Sequence, residues 1–85
     1  MNLNILIGNN VKYYRYKEKL TQEKLAEKIK SSVNYIGRLE RGQHNPSVEK
    51  LEKIATALNI EPYELFIKRN DLDSLPMRVN IKSKK

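Results

Sequence analysis

Eighty-five residues leave room for one domain, and a chain this short buries only about 60% of the surface its unfolded form exposes, so one compact core is the limit. Its 17 Lys and Arg against 10 Asp and Glu give a net charge of +7, which favours a polyanionic partner, either nucleic acid or an anionic membrane surface. The lack of cysteine excludes a disulfide framework and a thiolate metal site and fits a reducing cytoplasm, and no apolar run is long enough to span a bilayer. The opening MNLNILIGNN has neither the basic start nor the long apolar stretch of a secretion signal, so no export is expected.

Ile7, Val11 and Tyr14 recur at spacings of four and three, which places one apolar stripe on a first helix, roughly Leu3 to Lys19. Thr21 offers a capping hydroxyl to a short second helix that ends near Lys28 to Lys30, with Glu23 suiting its dipole and Leu25, Ala26 and Ile29 as its buried positions. Ser31 and Ser32 supply the next cap, and Tyr35, Ile36 and Leu39 form the apolar stripe of a third helix that stops at Gly42. Asn45-Pro46 is a breaker. Ser47 then caps a fourth helix with Val48, Leu51, Ile54, Ala55 and Leu58 at helical period, and Pro62 starts a short fifth helix holding Leu65 and Phe66. The expectation is an all-α fold, a compact five-helix domain over residues 1–69.

Residues 70–85 differ. Asn70 to Pro76 has turn-formers and no helical period, and Met77, Val79 and Ile81 then alternate with Arg78, Asn80 and Lys82. This basic C-terminal tail reads either as a β-strand that pairs with its mate in a dimer or as a disordered segment.

The charge is unevenly spread. Residues 12–41 hold nine basic and four acidic side chains, residues 42–67 two basic and four acidic, and the last ten residues four basic ones. A basic stretch in mid-chain fits either a face that meets phosphate or a solvated surface, and the segment from Gln22 to Arg41 supplies a geometry for the first. Two short helices joined by a turn at Ile29 to Ser32 need a small residue where they cross, which Ala26 provides. They also need apolar residues on the inner side of the second, which Ile36 and Leu39 provide. Such a helix fits the major groove of B-DNA and presents its N-terminal residues to base edges.

In TQEKLAEKI, YIGRLERG, NPS and ALNIEPYELF, in that order and spacing, the chain resembles the XRE family of phage-repressor and Cro-like helix-turn-helix regulators over about residues 7–67. The resemblance implies a lambda-repressor-like fold, double-stranded DNA as partner, and a role as a transcriptional regulator, with the helix-turn-helix at the second and third helices. It places Ser32, Val33, Asn34 and Arg38 at the groove-facing positions of a recognition helix running from Ser32 to Glu40. Their chemistry agrees, since Asn34 can bond an adenine edge, Arg38 a guanine edge, and Val33 can pack on a thymine methyl.

Gln22 matches a phosphate-holding position at the start of the unit that also braces the recognition helix. Arg41, Gln43, His44 and Asn45 match the loop that runs along the DNA backbone, with Lys30 and Tyr35 at the mouth of the groove as further phosphate contacts. Arg15 and Glu40 match a structural ion pair between the first helix and the end of the recognition helix. Two positions depart from the family pattern, because Lys19 and Lys30 stand where glycine usually ends the first and second helices.

A homodimer on a palindromic operator is the leading expectation, with a dimer interface at Ile60, Leu65, Phe66, Leu72 and Leu75. An antitoxin-type autoregulator, or a restriction-modification controller protein, whose tail holds a protein partner is the alternative. His44 is a lone histidine and no paired carboxylates or phosphate-cradling glycine loop is present, so no metal, cofactor or catalytic residue is expected.

Overall fold

The computed structural model describes residues 2–68. Helix starts in this chain are set by side-chain oxygens that accept otherwise unpaired amides of the first turn. Asn2 Oδ1 takes the amide of Asn4 at 2.9 Å and opens α1 (Leu3–Lys17). Thr21 Oγ1 takes that of Lys24 at 3.0 Å and opens α2 (Gln22–Lys28). Ser32 Oγ takes that of Tyr35 at 3.0 Å and opens α3 (Val33–Glu40), and Ser47 Oγ that of Lys50 at 3.1 Å for α4 (Val48–Leu58).

Helix ends follow one device. Lys19, Lys30, Gly42 and Asn59 all have positive φ, at 59°, 59°, 75° and 61°. After each of them the next residue's amide reaches back five positions: Leu20 to Arg15 O, Ser31 to Ala26 O, Gln43 to Arg38 O and Ile60 to Ala55 O, at 2.9 to 3.0 Å. This closure satisfies the last carbonyls and needs a left-handed residue, a conformation that costs a side-chain-bearing residue about 1 to 2 kcal/mol. The two lysines adopt it where glycine would do so freely.

The expected fifth helix is not an α-helix. Residues Pro62–Phe66 form a 3-10 helix, so the described residues hold four α-helices and one 3-10 turn. Pro62 brings no amide, the Glu64 amide bonds Glu61 O only three residues back at 2.9 Å, and Ile67 is already extended. Between those limits the segment takes the tighter three-residue pattern of a short 3-10 turn. No strand occurs among the described residues, and the tail of residues 70–85, with Leu72, Leu75 and the alternation at Met77, Val79 and Ile81, lies outside them.

Ile7, Val11 and Tyr14 of α1, Leu25 and Ala26 of α2, Ile36 and Leu39 of α3, and Leu51, Ile54, Ala55 and Leu58 of α4 share one core. Leu65 completes it at 0% exposure, which corrects its assignment to a dimer face: it is a core residue and unavailable to a partner. Val48, read as part of the α4 stripe, is 73% exposed. Two residues bring distant segments together. Gly8 lets α1 pass against the end of α3, where a Cβ would strike Leu39 O and come within 2.9 Å of Glu40 O. Buried Asn10 donates its Nδ2 to Leu65 O at 2.8 Å and to Ile67 O at 2.9 Å.

Candidate nucleic-acid interface

Helices α2 and α3 pack on each other, and Ala26 of α2 is buried at 3% exposure. Along α3 the inward residues are Ile36, Gly37, Leu39 and Glu40. Val33, Asn34 and Arg38 are exposed, as is Arg41 just beyond the helix, so Asn34, Arg38 and Arg41 stand at spacings of four and three on one solvent-facing stripe. Ser32 is exposed too, but its Oγ already serves as the cap acceptor, leaving its O–H to donate.

The far end of α3 is held by charge. Arg15 Nε donates to Glu40 Oε2 at 2.6 Å and Arg15 Nη2 to Glu40 Oε1 at 3.0 Å, a two-pronged pair with both residues buried. Arg15 Nη1 also donates to Leu20 O at 2.9 Å, and Gln22 Nε2 donates to Glu40 Oε1 at 3.0 Å. One carboxylate thus ties α1, α2 and α3. Burial by itself would lower the Arg15 pKa, but the hydrogen bonds and charge of Glu40 outweigh it and hold the guanidinium above its ordinary value.

The residues matched to phosphate contacts fall into two groups. Lys30, Arg41, Gln43 and Asn45 are exposed, and Arg41 Nε donates to Gln43 Oε1 at 3.2 Å. Gln22 and His44 are half-buried. Tyr35 departs from the expectation. Its ring meets His44 edge-on at 4.7 Å, and its hydroxyl is buried without a hydrogen-bond partner, so the polar atom that would bond a phosphate points away from solvent. Burial raises the Tyr35 pKa. Of the residues assigned to a dimer face, Ile60 is half-buried and Phe66 42% exposed, beside Tyr63 at 67% and Ile67 at 39%.

Sequence reasoning overlooked Lys50, whose Nζ donates to Ser31 Oγ at 2.8 Å and lies 5.3 Å from the centre of the Tyr35 ring. A signal was present, because Lys50 occupies the third position of α4, where a cation opposes the helix dipole and an acidic residue is the favoured choice. Among the described residues no helix is long and apolar enough to cross a membrane, and no group of His, Asp or Glu could hold a metal ion.

A helix-turn-helix family profile matches residues 11–65. The chain is 44% identical over 55 residues to the immunity repressor protein of Bacillus phage phi105, which covers 65% of this chain and 38% of that protein. It is 38% identical over 66 residues to control protein C.BamHI of Bacillus amyloliquefaciens, covering 76% of this chain and 82% of that one. The fold is similar to the crystal structure of the restriction-modification controller protein C.AhdI from Aeromonas hydrophila, with a TM-score of 0.71 and 41% identity, over 74% of this chain and 96% of that chain. Motif order, the α2–turn–α3 geometry and these likenesses agree: the chain belongs to the helix-turn-helix family of regulators.

Proposed function

We propose that the protein is a sequence-specific double-stranded DNA-binding transcriptional regulator that acts as a homodimer on a palindromic operator. Each α3 enters a major groove about 34 Å from its mate. Ser32, Val33, Asn34 and Arg38 meet base edges, and Gln22, Lys30, Arg41, Gln43, His44 and Asn45 line the backbone. Tyr35 is left out because its hydroxyl is buried. The observation that carries the reading is the exposed Val33, Asn34 and Arg38 edge of a helix fixed at its far end by the Arg15–Glu40–Gln22 cluster. A reading head must present polar groups yet hold them still. The net charge of +7 supplies the attraction to phosphate.

The dimer face is assigned to Ile60 and Phe66, with Leu72 and Leu75 of the tail segment, residues 70–85. Tyr63, Phe66 and Ile67, all exposed within five residues of chain, support it. The function needs no cofactor, catalytic group or membrane and places the protein in the cytoplasm.

Selection from a random duplex library tests this directly. A two-fold symmetric site is expected, with affinity falling against log salt at a slope of about −0.9 per phosphate neutralised. A pool without an enriched sequence overturns sequence-specific binding, and a sedimenting monomer both free and on DNA overturns the dimer.

Likeness to a controller protein over nearly its whole length favours one narrower reading, control of a restriction-modification system. Genes for a nuclease and a methyltransferase beside this one, with the selected site in front of them, are what that reading requires.

A further inference from the structure

We propose that Lys50 is a positioning residue for the DNA-reading surface: its ammonium pins the turn of the helix-turn-helix, through Ser31, and the first turn of α3, through Tyr35, onto the start of α4. The inference rests on the DNA-binding reading given above. Three observations lead to it. The Lys50 Nζ bond to Ser31 Oγ, 2.8 Å, joins α4 to the residue that follows left-handed Lys30 and precedes the α3 cap Ser32. The same ammonium lies 5.3 Å from the Tyr35 ring centre, within reach of a cation–π attraction, and Tyr35 directly follows Asn34 on α3. That ring also meets His44, from the loop that follows α3, at 4.7 Å.

Lys50 therefore sits where three segments of the interface converge, while its own helix carries no residue assigned to base or backbone contact. A cation in the first turn of α4 is unfavourable for that helix, so its local setting gives no reason for a lysine. The tertiary contacts give one. The turn they hold has a strained left-handed lysine and no glycine, so it gains from an outside anchor. The other end of α3 is fixed by Glu40, and Lys50 supplies the corresponding constraint at the end that carries Ser32, Val33 and Asn34.

The test compares full-length wild type, Lys50→Met, Lys50→Arg, Ser31→Ala and the Lys50→Met/Ser31→Ala double variant. Each is titrated with a duplex recovered from the random-library selection and with a scrambled duplex of the same composition, over a salt series, and thermal melting is recorded for each. Wild type must first prefer the selected duplex, and if it does not, the DNA-binding reading fails rather than this inference.

The expected result is a loss of preference of about tenfold in Lys50→Met, the scale of one well-made base contact, with affinity for the scrambled duplex and the salt slope unchanged. Lys50→Arg, which keeps a charged donor, restores most of it. Ser31→Ala loses preference in part, and the double variant loses no more than Lys50→Met alone, since both act through one bond. Equal loss on both duplexes with a shallower slope makes Lys50 a phosphate contact and overturns the proposal, as does an unchanged preference. Should Lys50→Met melt below the assay temperature, Ser31→Ala and Lys50→Arg decide by the same two readouts.

Discussion

Gln22 Nε2 lies 3.0 Å from Glu40 Oε1, so the first residue of α2 bonds the last residue of α3, and the two helices of the reading unit are tied at the ends farthest from their turn. Glu40 accepts from Arg15 at the same time, so its carboxylate has three donors. Removing one partner of a buried pair leaves the other charged and desolvated, at a cost of about 3 to 5 kcal/mol. Arg15→Met and Glu40→Leu are each expected to lower the unfolding free energy, read from urea titration, by an amount in that range. The double variant should recover much of the loss, because no lone charge remains inside. A double variant as unstable as the sum of the singles contradicts this account of Glu40.

Lys30 combines an unfavourable backbone conformation with a charge beside the reading helix. Lys30→Asn separates the two, since asparagine tolerates the left-handed region and carries no charge. Stability is expected to hold or to rise by up to about 1 kcal/mol in urea unfolding. The salt slope of DNA binding should flatten by about 0.9, one phosphate contact. An unchanged slope removes Lys30 from the backbone contacts.

Base reading and backbone contact separate in the same titrations. Asn34→Ala or Arg38→Ala is expected to relax the preference at one base pair of the selected site by about 1 to 3 kcal/mol. Arg41→Ala should weaken all duplexes alike. Equal losses on selected and scrambled duplexes for Asn34→Ala contradict its place at a base edge.

Tyr35 keeps its hydroxyl buried and unpartnered, an arrangement that costs about 1 to 3 kcal/mol relative to an apolar group of the same shape. Tyr35→Phe is expected to raise the melting temperature and to leave the ring contacts with His44 and Lys50 in place. The pH dependence has a definite sign. Burial raises the phenol pKa in the folded state, so the unfolded chain gives up this proton first. Stability linked to Tyr35 is complete below its unfolded pKa and is lost as pH rises through the folded value. Tyr35→Phe should therefore show a shallower alkaline loss of stability than wild type, and an equally steep loss would show that other groups carry it.

What the sequence made legible was local. Thr21, Ser32 and Ser47 announced three helices because a capping oxygen acts within three residues of itself. The stripes Ile7, Val11, Tyr14 and Leu51, Ile54, Leu58 announced buried faces because a helix repeats itself every 3.6 residues. The exposed positions of α3, and the left-handed conformation of Lys19 and Lys30, were legible through family resemblance. What escaped depends on partners distant in sequence. Gly8 is needed because α3 carbonyls approach it, Asn10 because the chain returns 55 residues later, and Lys50 because Ser31 lies across the α2–α4 contact. The sequence assigns Leu65 to a dimer face, yet the core is one residue short without it. Nothing in a five-residue run starting at Pro62 distinguishes an α-helical turn from the tighter 3-10 form until Ile67 is seen to be extended.

The carboxamide of Asn10 has a kinetic consequence. It joins α1 to carbonyls 55 and 57 residues further along, so its bonds close a loop that spans α2, α3 and α4. Closing so long a loop before the intervening helices have docked brings an entropy loss with little to offset it. The Pro62–Phe66 segment is therefore expected to dock late and to open readily: amide exchange at Leu65 should be faster than at equally buried Leu39, with Asn10→Ala widening the gap. The fourth helix hands the chain to a latch whose other half lies on the first, and equal exchange at Leu65 and Leu39 would mean that this one side chain governs neither docking nor opening.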